Sequence, residues 1–201
     1  VRNRFAVSSR PIARGSCIGF IALILLCIHA APAVVRSRIN SRINPEVTQA
    51  AYQRIMNSNP SRYQGPQKPA EQIDWYSATN YCKRVGMRQP TESEWEYAAL
   101  GKVQAPRYGE LNKIAWYDGN SSDMTHDVAQ KEPNAYGLFD MLGNVWEWVE
   151  DVCACDPKRR LMKGGSFYNI SRDLRAPNRE TPLDTLQHCN VGFRCAANSL
   201  P

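Results

Sequence analysis

Apolar positions recur at helical spacing in three stretches of the chain. Val47, Ala51 and Ile55 fall four residues apart and predict a short helix ending near Asn57. Asp74 is placed to cap a second helix, with Trp75, Ala78, Cys82 and Val85 on one face and Gly86 as its stop. A third opens on Pro90-Thr91-Glu92-Ser93-Glu94, where Thr91 caps and Glu94 reaches back to complete a capping box. Trp95, Ala98 and Ala99 then face inward, and Gly101 ends the helix.

Beyond Gly101 the helical period is lost. From Ile114 onward, short apolar runs alternate with Gly, Asn, Asp and Pro, which predicts small strands joined by shaped loops. The fold class expected is α+β with much irregular structure. Within this half, Asn134 to Asp151 packs glycines, carboxylates, an amide and two tryptophans into one stretch that suits neither a helix nor an alternating strand. Gly137 and Gly143 permit turns that a side chain would forbid, and Asp140, Asn144 and Glu147 supply hard oxygen donors. Such oxygens suit a Ca²⁺ ion; the plainer reading is a polar turn ahead of a core strand, with Trp146 and Trp148 as packing.

The N-terminal segment has a different character. Arg2, Arg4, Arg10 and Arg14 precede an apolar run from Ile18 to Ile28 and an Ala31-Pro32-Ala33 end, so residues 1–33 read as a signal peptide or membrane anchor. Residues 34–45, in which Ser-Arg-Ile-Asn occurs twice, read as a basic tether, and residues 46–201 as the globular domain. The net charge is +6, but those four arginines stand in a segment without acids, which leaves only +2 for the rest. No basic run interleaved with aromatics remains, so nucleic-acid binding has little support. Export is the expected destination: periplasmic, secreted or anchored facing outward. Of seven cysteines, Cys17 and Cys27 go with the leader, and Cys82, Cys153, Cys155, Cys189 and Cys195 remain. Disulfides are the default outside the cytoplasm, and five leaves one thiol over or paired between chains.

The order of motifs resembles the formylglycine-generating enzyme family, the sulfatase-modifying-factor domain, whose fold is a variant of the C-type lectin type. The residues that carry it are Glu46-Val47-Thr48-Gln49 with Tyr52, Asn59-Pro60-Ser61, Asp74-Trp75 to Tyr81-Cys82, Pro90 to Ala98, and Trp116-Tyr117. It continues through Pro133 to Leu138, Gly143 to Trp148, Lys163-Gly164-Gly165-Ser166-Phe167 and Gly192 to Ala197. The resemblance implies a structural calcium held by the side chains of Asp140 and Glu147 and the carbonyls of Gly143 and Val145. It implies a disulfide between Cys82 and Cys195, and a small pocket lined by Trp146 and Ser166.

Departures from the family pattern bear on function. Family oxidases hold copper(I) with two cysteines just after Gly-Gly-Ser; here Phe167 to Arg175 contains none, with Asn169 and Ser171 roughly at those places. An amide and a hydroxyl do not replace two thiolates, so copper is not expected. A second family disulfide is replaced by Ala99 and Ala176. The iron of a related branch needs a histidine triad, and only His29, His126 and His188 occur. Gln89 stands where an apolar residue is usual, and the strands normally upstream of Glu46 are replaced by the leader and tether. Truncation there, with an exposed sheet edge, is one expectation.

Three functions follow from these residues. The first is an exported, calcium-stabilised binding or accessory module for a peptide, protein or glycan, with Asn169, Ser171 and Arg175 beside the pocket and Tyr168 to Asn190 as the recognition segment. The second is an enzyme oxidising or modifying a peptide cysteine or other thiol. Its chemistry would come from Cys153, Cys155, Cys189 and His188, a set that suits zinc or copper(I) if it converges. Loop cysteines, or a disulfide from Cys153 or Cys155 to Cys189, is the plainer reading of that set. The third is a structural partner without chemistry of its own.

Overall fold

The structure is a computed structural model, and it describes residues 43–197. The leader and most of the tether lie outside the described residues. A five-stranded sheet in the order β1-β7-β4-β5-β6 forms the frame. Its strands are β1 (Ile43–Glu46), β4 (Trp146–Val152), β5 (Arg160–Lys163), β6 (Arg179–Glu180) and β7 (Val191–Ala196). The central β4 and β7 run parallel, and the other neighbours are antiparallel. A second, two-stranded sheet pairs β2 (Ala115–Trp116) with β3 (Leu142–Gly143). This is the α+β, C-type-lectin-like architecture expected from the motifs.

The three predicted helices form close to their expected bounds. They are α1 (Gln49–Met56), α2 (Trp75–Arg84) and α3 (Glu92–Leu100); a single turn, α4, covers Leu111–Ile114. Asn57 closes α1 in the left-handed conformation, Asp74 accepts from Ser77 N–H at the start of α2, and both halves of the Thr91–Glu94 capping box are made. Val85, expected on the buried face of α2, is its exposed C-cap.

Strand alternation sorts the core into two clusters, because successive side chains point to opposite faces of a sheet. On one face Trp146, Trp148, Met162, Val191, Phe193 and Cys195 pack against α1 and α2. Val149 and Leu161 belong to the cluster that holds Trp95, Ala98 and Ala99 of α3. Cys82 and Cys195 are disulfide-bonded, tying α2 to β7, as the resemblance implied. Ala99 and Ala176 are both buried in the α3 cluster, filling space without a crosslink.

One boundary differs from the sequence reading. Ile43, Asn44 and Pro45, read as the end of the tether, already belong to β1, which pairs with β7 through a bulge. An upstream strand is therefore present, and the edge of β7 is covered. The reason is pairing across the sheet: Arg194 of β7 donates to the Asn44 carbonyl, and Glu46 is drawn inward to 3% exposure.

Candidate functional site

Beneath the loop before β4 lies a buried network of charged side chains. Arg194 of β7 has no exposed side-chain surface, and Glu147 of β4 only 1%. Its Nε donates to Glu147 Oε2 at 2.6 Å and its Nη2 to Oε1 at 2.6 Å, a bidentate pair. The remaining donors bind the carbonyls of Asn44, Phe139 and Asp140. Trp95 Nε1–H also donates to Glu147 Oε2, at 2.6 Å. One guanidinium thus fastens β1, β4, β7 and the turn at Asp140 together.

Glu147, one of the carboxylates assigned to a cation from the sequence, is therefore engaged by Arg194 and Trp95. Within this network two other carboxylates are left short of partners. Asp140 accepts from Ala129 N–H through one oxygen at 2.6 Å, while its Oδ1 is buried without a partner. Glu46 accepts from Asn144 Nδ2 at 2.8 Å through Oε2, and its Oε1 is likewise buried and unpartnered. Burial raises the Glu46 carboxyl well above its ordinary value, and the nearby charges of Asp140 and Glu147 raise it further. Burial also raises Asp140, which Ala129 N–H and Arg194 partly offset.

The turn that carries these groups is held by unusual backbone angles. Asp140, Gly143 and Asn144 all have positive φ, at 53°, 82° and 58°. Gly143 is required twice, since a Cβ there would also collide with the Trp116 carbonyl. Asn144 is the hub: its amide joins Glu46 to His126, and its own N–H donates to Trp116 O. Val145 follows directly and is fully buried, so the Gly143 and Val145 positions flank Asn144 in one turn.

A second cluster lies beside Ser166. Ser166 N–H and Oγ–H both donate to Asn169 Oδ1, at 2.9 and 2.8 Å, and Asn190 Nδ2 donates to Ser166 Oγ at 3.1 Å. Trp146 N–H donates to the Asn190 carbonyl, which brings Trp146, Ser166 and Asn169 into one neighbourhood. Ser171 and Arg175 are exposed on the short 3-10 helix Ser171–Asp173 and just beyond it, and do not join these contacts. Leu174, between them, is fully buried. Tyr168 is exposed, its hydroxyl 3.2 Å from that of Tyr63.

The remaining cysteines do not converge. Cys153 and Cys155 are bonded to each other, and Cys189 is a buried free thiol 3.9 Å from His188 Nδ1. The pairing of either with Cys189 is thus corrected. Among the described residues no three His, Cys, Asp or Glu side chains are grouped to hold a metal ion. No helix among them is long and apolar enough to cross a membrane.

The family model of the sulfatase-modifying factor enzyme 1-like domain matches residues 34–199. The chain belongs to this family. It is 36% identical over 149 residues to serine/threonine-protein kinase pkn1 of Chlamydia pneumoniae, covering 65% of this chain and 24% of that protein. It is 32% identical over 152 residues to inactive C-alpha-formylglycine-generating enzyme 2 of Bos taurus, covering 65% of this chain and 50% of that one. The chain thus spans between a quarter and half of these relatives' lengths. Among solved structures, Treponema denticola variable protein 1 superposes with a TM-score of 0.74 at 26% identity, over 77% of this chain and 82% of that one.

Sequence reasoning named Asp140 but missed Glu46, Asn190 and Arg194 as parts of these clusters. A signal for Arg194 existed: a cation inside Val191-Gly192-Phe193-Arg194-Cys195-Ala196, otherwise apolar, demands a buried carboxylate.

Proposed function

We propose that this sulfatase-modifying-factor-family domain is an exported, calcium-stabilised binding or accessory module that does not work as a copper oxidase. The observation that carries this reading is Asn169. Its side chain stands just after Gly-Gly-Ser and is bound into Ser166 by two hydrogen bonds, in a segment with no thiol. Copper(I) needs soft sulfur donors, which Phe167 to Arg175 does not supply. The relative named as an inactive formylglycine-generating enzyme supports a role for such a domain without oxidase turnover.

Calcium fits the buried turn. The unpartnered oxygens of Glu46 and Asp140 are the residues that would hold it, with the carbonyls of Gly143 and Val145 as further hard donors. Glu147 is better suited to its pair with Arg194. The ion would supply positive charge that locks β1 to the turn before β4, and no chemical step. Recognition would fall to the exposed groups of Tyr168 to Asn190, including Tyr168, Arg172, Arg175 and Arg179, displayed on a frame stiffened by the Cys82–Cys195 bridge. An exported peptide, protein or glycan is the ligand class these polar and aromatic groups suit.

Metal analysis of the purified chain tests this reading. One equivalent of calcium and no stoichiometric copper are expected, with no oxygen consumption on a cysteine-containing peptide. Stoichiometric copper with turnover would reject it.

A further inference from the structure

The disulfide between Cys153 and Cys155 has features that a structural crosslink does not need. It joins residues two apart, against 113 for Cys82–Cys195. So short a loop removes little entropy from the unfolded chain. Nor does the turn depend on it. Cys153 N–H donates to Arg159 O, Asp156 N–H to Cys153 O and Arg159 N–H to Asp156 O, which close the β4–β5 hairpin through the backbone. The bridge sits at the tip of that hairpin with exposed Val152, Ala154 and Pro157 around it.

The two sulfurs are not equivalent. Cys155 is exposed, whereas Cys153 is half-buried against the α3 core cluster. The Cys155 N–H donates to Cys153 Sγ at 3.1 Å. A donor directed at one sulfur favours its thiolate, and a better-stabilised thiolate is the better leaving group.

We infer that Cys153-Ala154-Cys155 is a thiol–disulfide exchange site for dithiol peptides, with Cys155 as the sulfur attacked and Cys153 as the leaving thiolate. A substrate thiolate attacks Cys155 Sγ; a substrate–Cys155 S–S bond forms, the Cys153–Cys155 bond breaks, and Cys153 takes the electron pair. The second substrate thiolate attacks the substrate sulfur of this mixed disulfide, releasing Cys155. The peptide dithiol loses two electrons and becomes a disulfide, while Cys153 and Cys155 become thiols that take up its two protons. A small-molecule disulfide of the glutathione class restores the bridge by the reverse exchange. Trp146 and Ser166 take no part, so the site is independent of the binding reading above.

The test uses the full oxidised chain equilibrated with graded reduced and oxidised glutathione, then alkylated and read by peptide mass spectrometry. Cys153–Cys155 is expected to be half-reduced under conditions at least about 100-fold less reducing than those that open Cys82–Cys195, as exposed bridges are more oxidising than structural ones. One equivalent of a dithiol peptide should be oxidised per chain. With the remaining cysteine of each variant first loaded with glutathione by oxidised glutathione, a monothiol peptide should displace the glutathione from Cys155 of Cys153→Ser and stay bound as a mixed disulfide, whereas Cys155→Ser should trap far less on Cys153; an intact Cys82–Cys195 bridge reports folding of both. The inference is overturned if the two disulfides open together, if Cys153 and Cys155 stay reduced under oxidising glutathione, or if the two variants trap equally.

Discussion

Adding or chelating calcium is the perturbation that most directly probes the buried turn. Glu46 and Asp140 are 3% and 2% exposed, and each keeps one oxygen without a partner. An unsatisfied buried polar atom costs about 1–3 kcal/mol, so the pair leaves about 2–6 kcal/mol for a cation to recover. Calcium at about 100 times its dissociation constant would stabilise the fold by ~2.7 kcal/mol. For a domain of this size that corresponds to a rise of about 5–11 °C in melting temperature. The sign with pH follows from the raised carboxyls. Without the ion, stability is full below the ordinary carboxylate range and is lost as pH rises through the raised folded values of Glu46 and Asp140. The calcium effect should therefore grow across that window. Thermal unfolding followed by circular dichroism, with calcium or with chelator, measures it. Glu46→Gln should raise the midpoint in chelator, by removing a buried carboxylate that Asp140 and Glu147 repel, and abolish most of the response to calcium. Glu147→Gln should lower the midpoint in both. Equal midpoints with and without chelator in the parent protein, or equal calcium responses from the two variants, would refute the assignment.

Three further outcomes follow from individual contacts. The Glu71 carboxyl is pushed up to about 7 by burial, which outweighs the hydrogen bond from Tyr63 N–H. Stability should fall between its ordinary 4.5 and about 7, by about 3 kcal/mol at 1.36 kcal/mol per unit, and Glu71→Gln should remove that slope in urea unfolding; an unchanged slope would assign the dependence to other groups. Arg194→Met leaves Glu147 buried and uncompensated and should cost about 3–5 kcal/mol, while Arg194→Met with Glu147→Leu recovers part of the loss in the same assay. Replacing Cys82 and Cys195 by serine opens a crosslink spanning 113 positions and should cost roughly 4–5 kcal/mol, seen as a lower urea midpoint.

Local signals were legible wherever a neighbour in sequence completes the interaction. Thr91 and Glu94 satisfy each other within one turn, and Asp74 reaches Ser77 N–H. Gly143 announces its positive φ by being glycine. Pairings that cross the sheet were not legible in this way. Glu147 and Asp140 both read as oxygen donors, and nothing local says that Arg194, 47 positions away, takes one of them. Glu46 lies 98 positions from Asn144, so its inward turn depends on β1 adding to β7. The C-x-C spacing left metal open beside the plainer readings of loop thiols or a disulfide to Cys189, and the hairpin geometry pairs Cys153 with Cys155 instead.

By itself the sequence determined the three helices with their caps, the α+β class, and, through its ordered motifs, the family. Those features rest on contacts within a few residues, or on residue types with few conformational alternatives. The tertiary structure alone decided which carboxylates are neutralised and which remain short of a partner. Strand pairing brings Glu46, Asp140, Glu147 and Arg194 from distant segments into one buried volume, where only so many hydrogen bonds can be made.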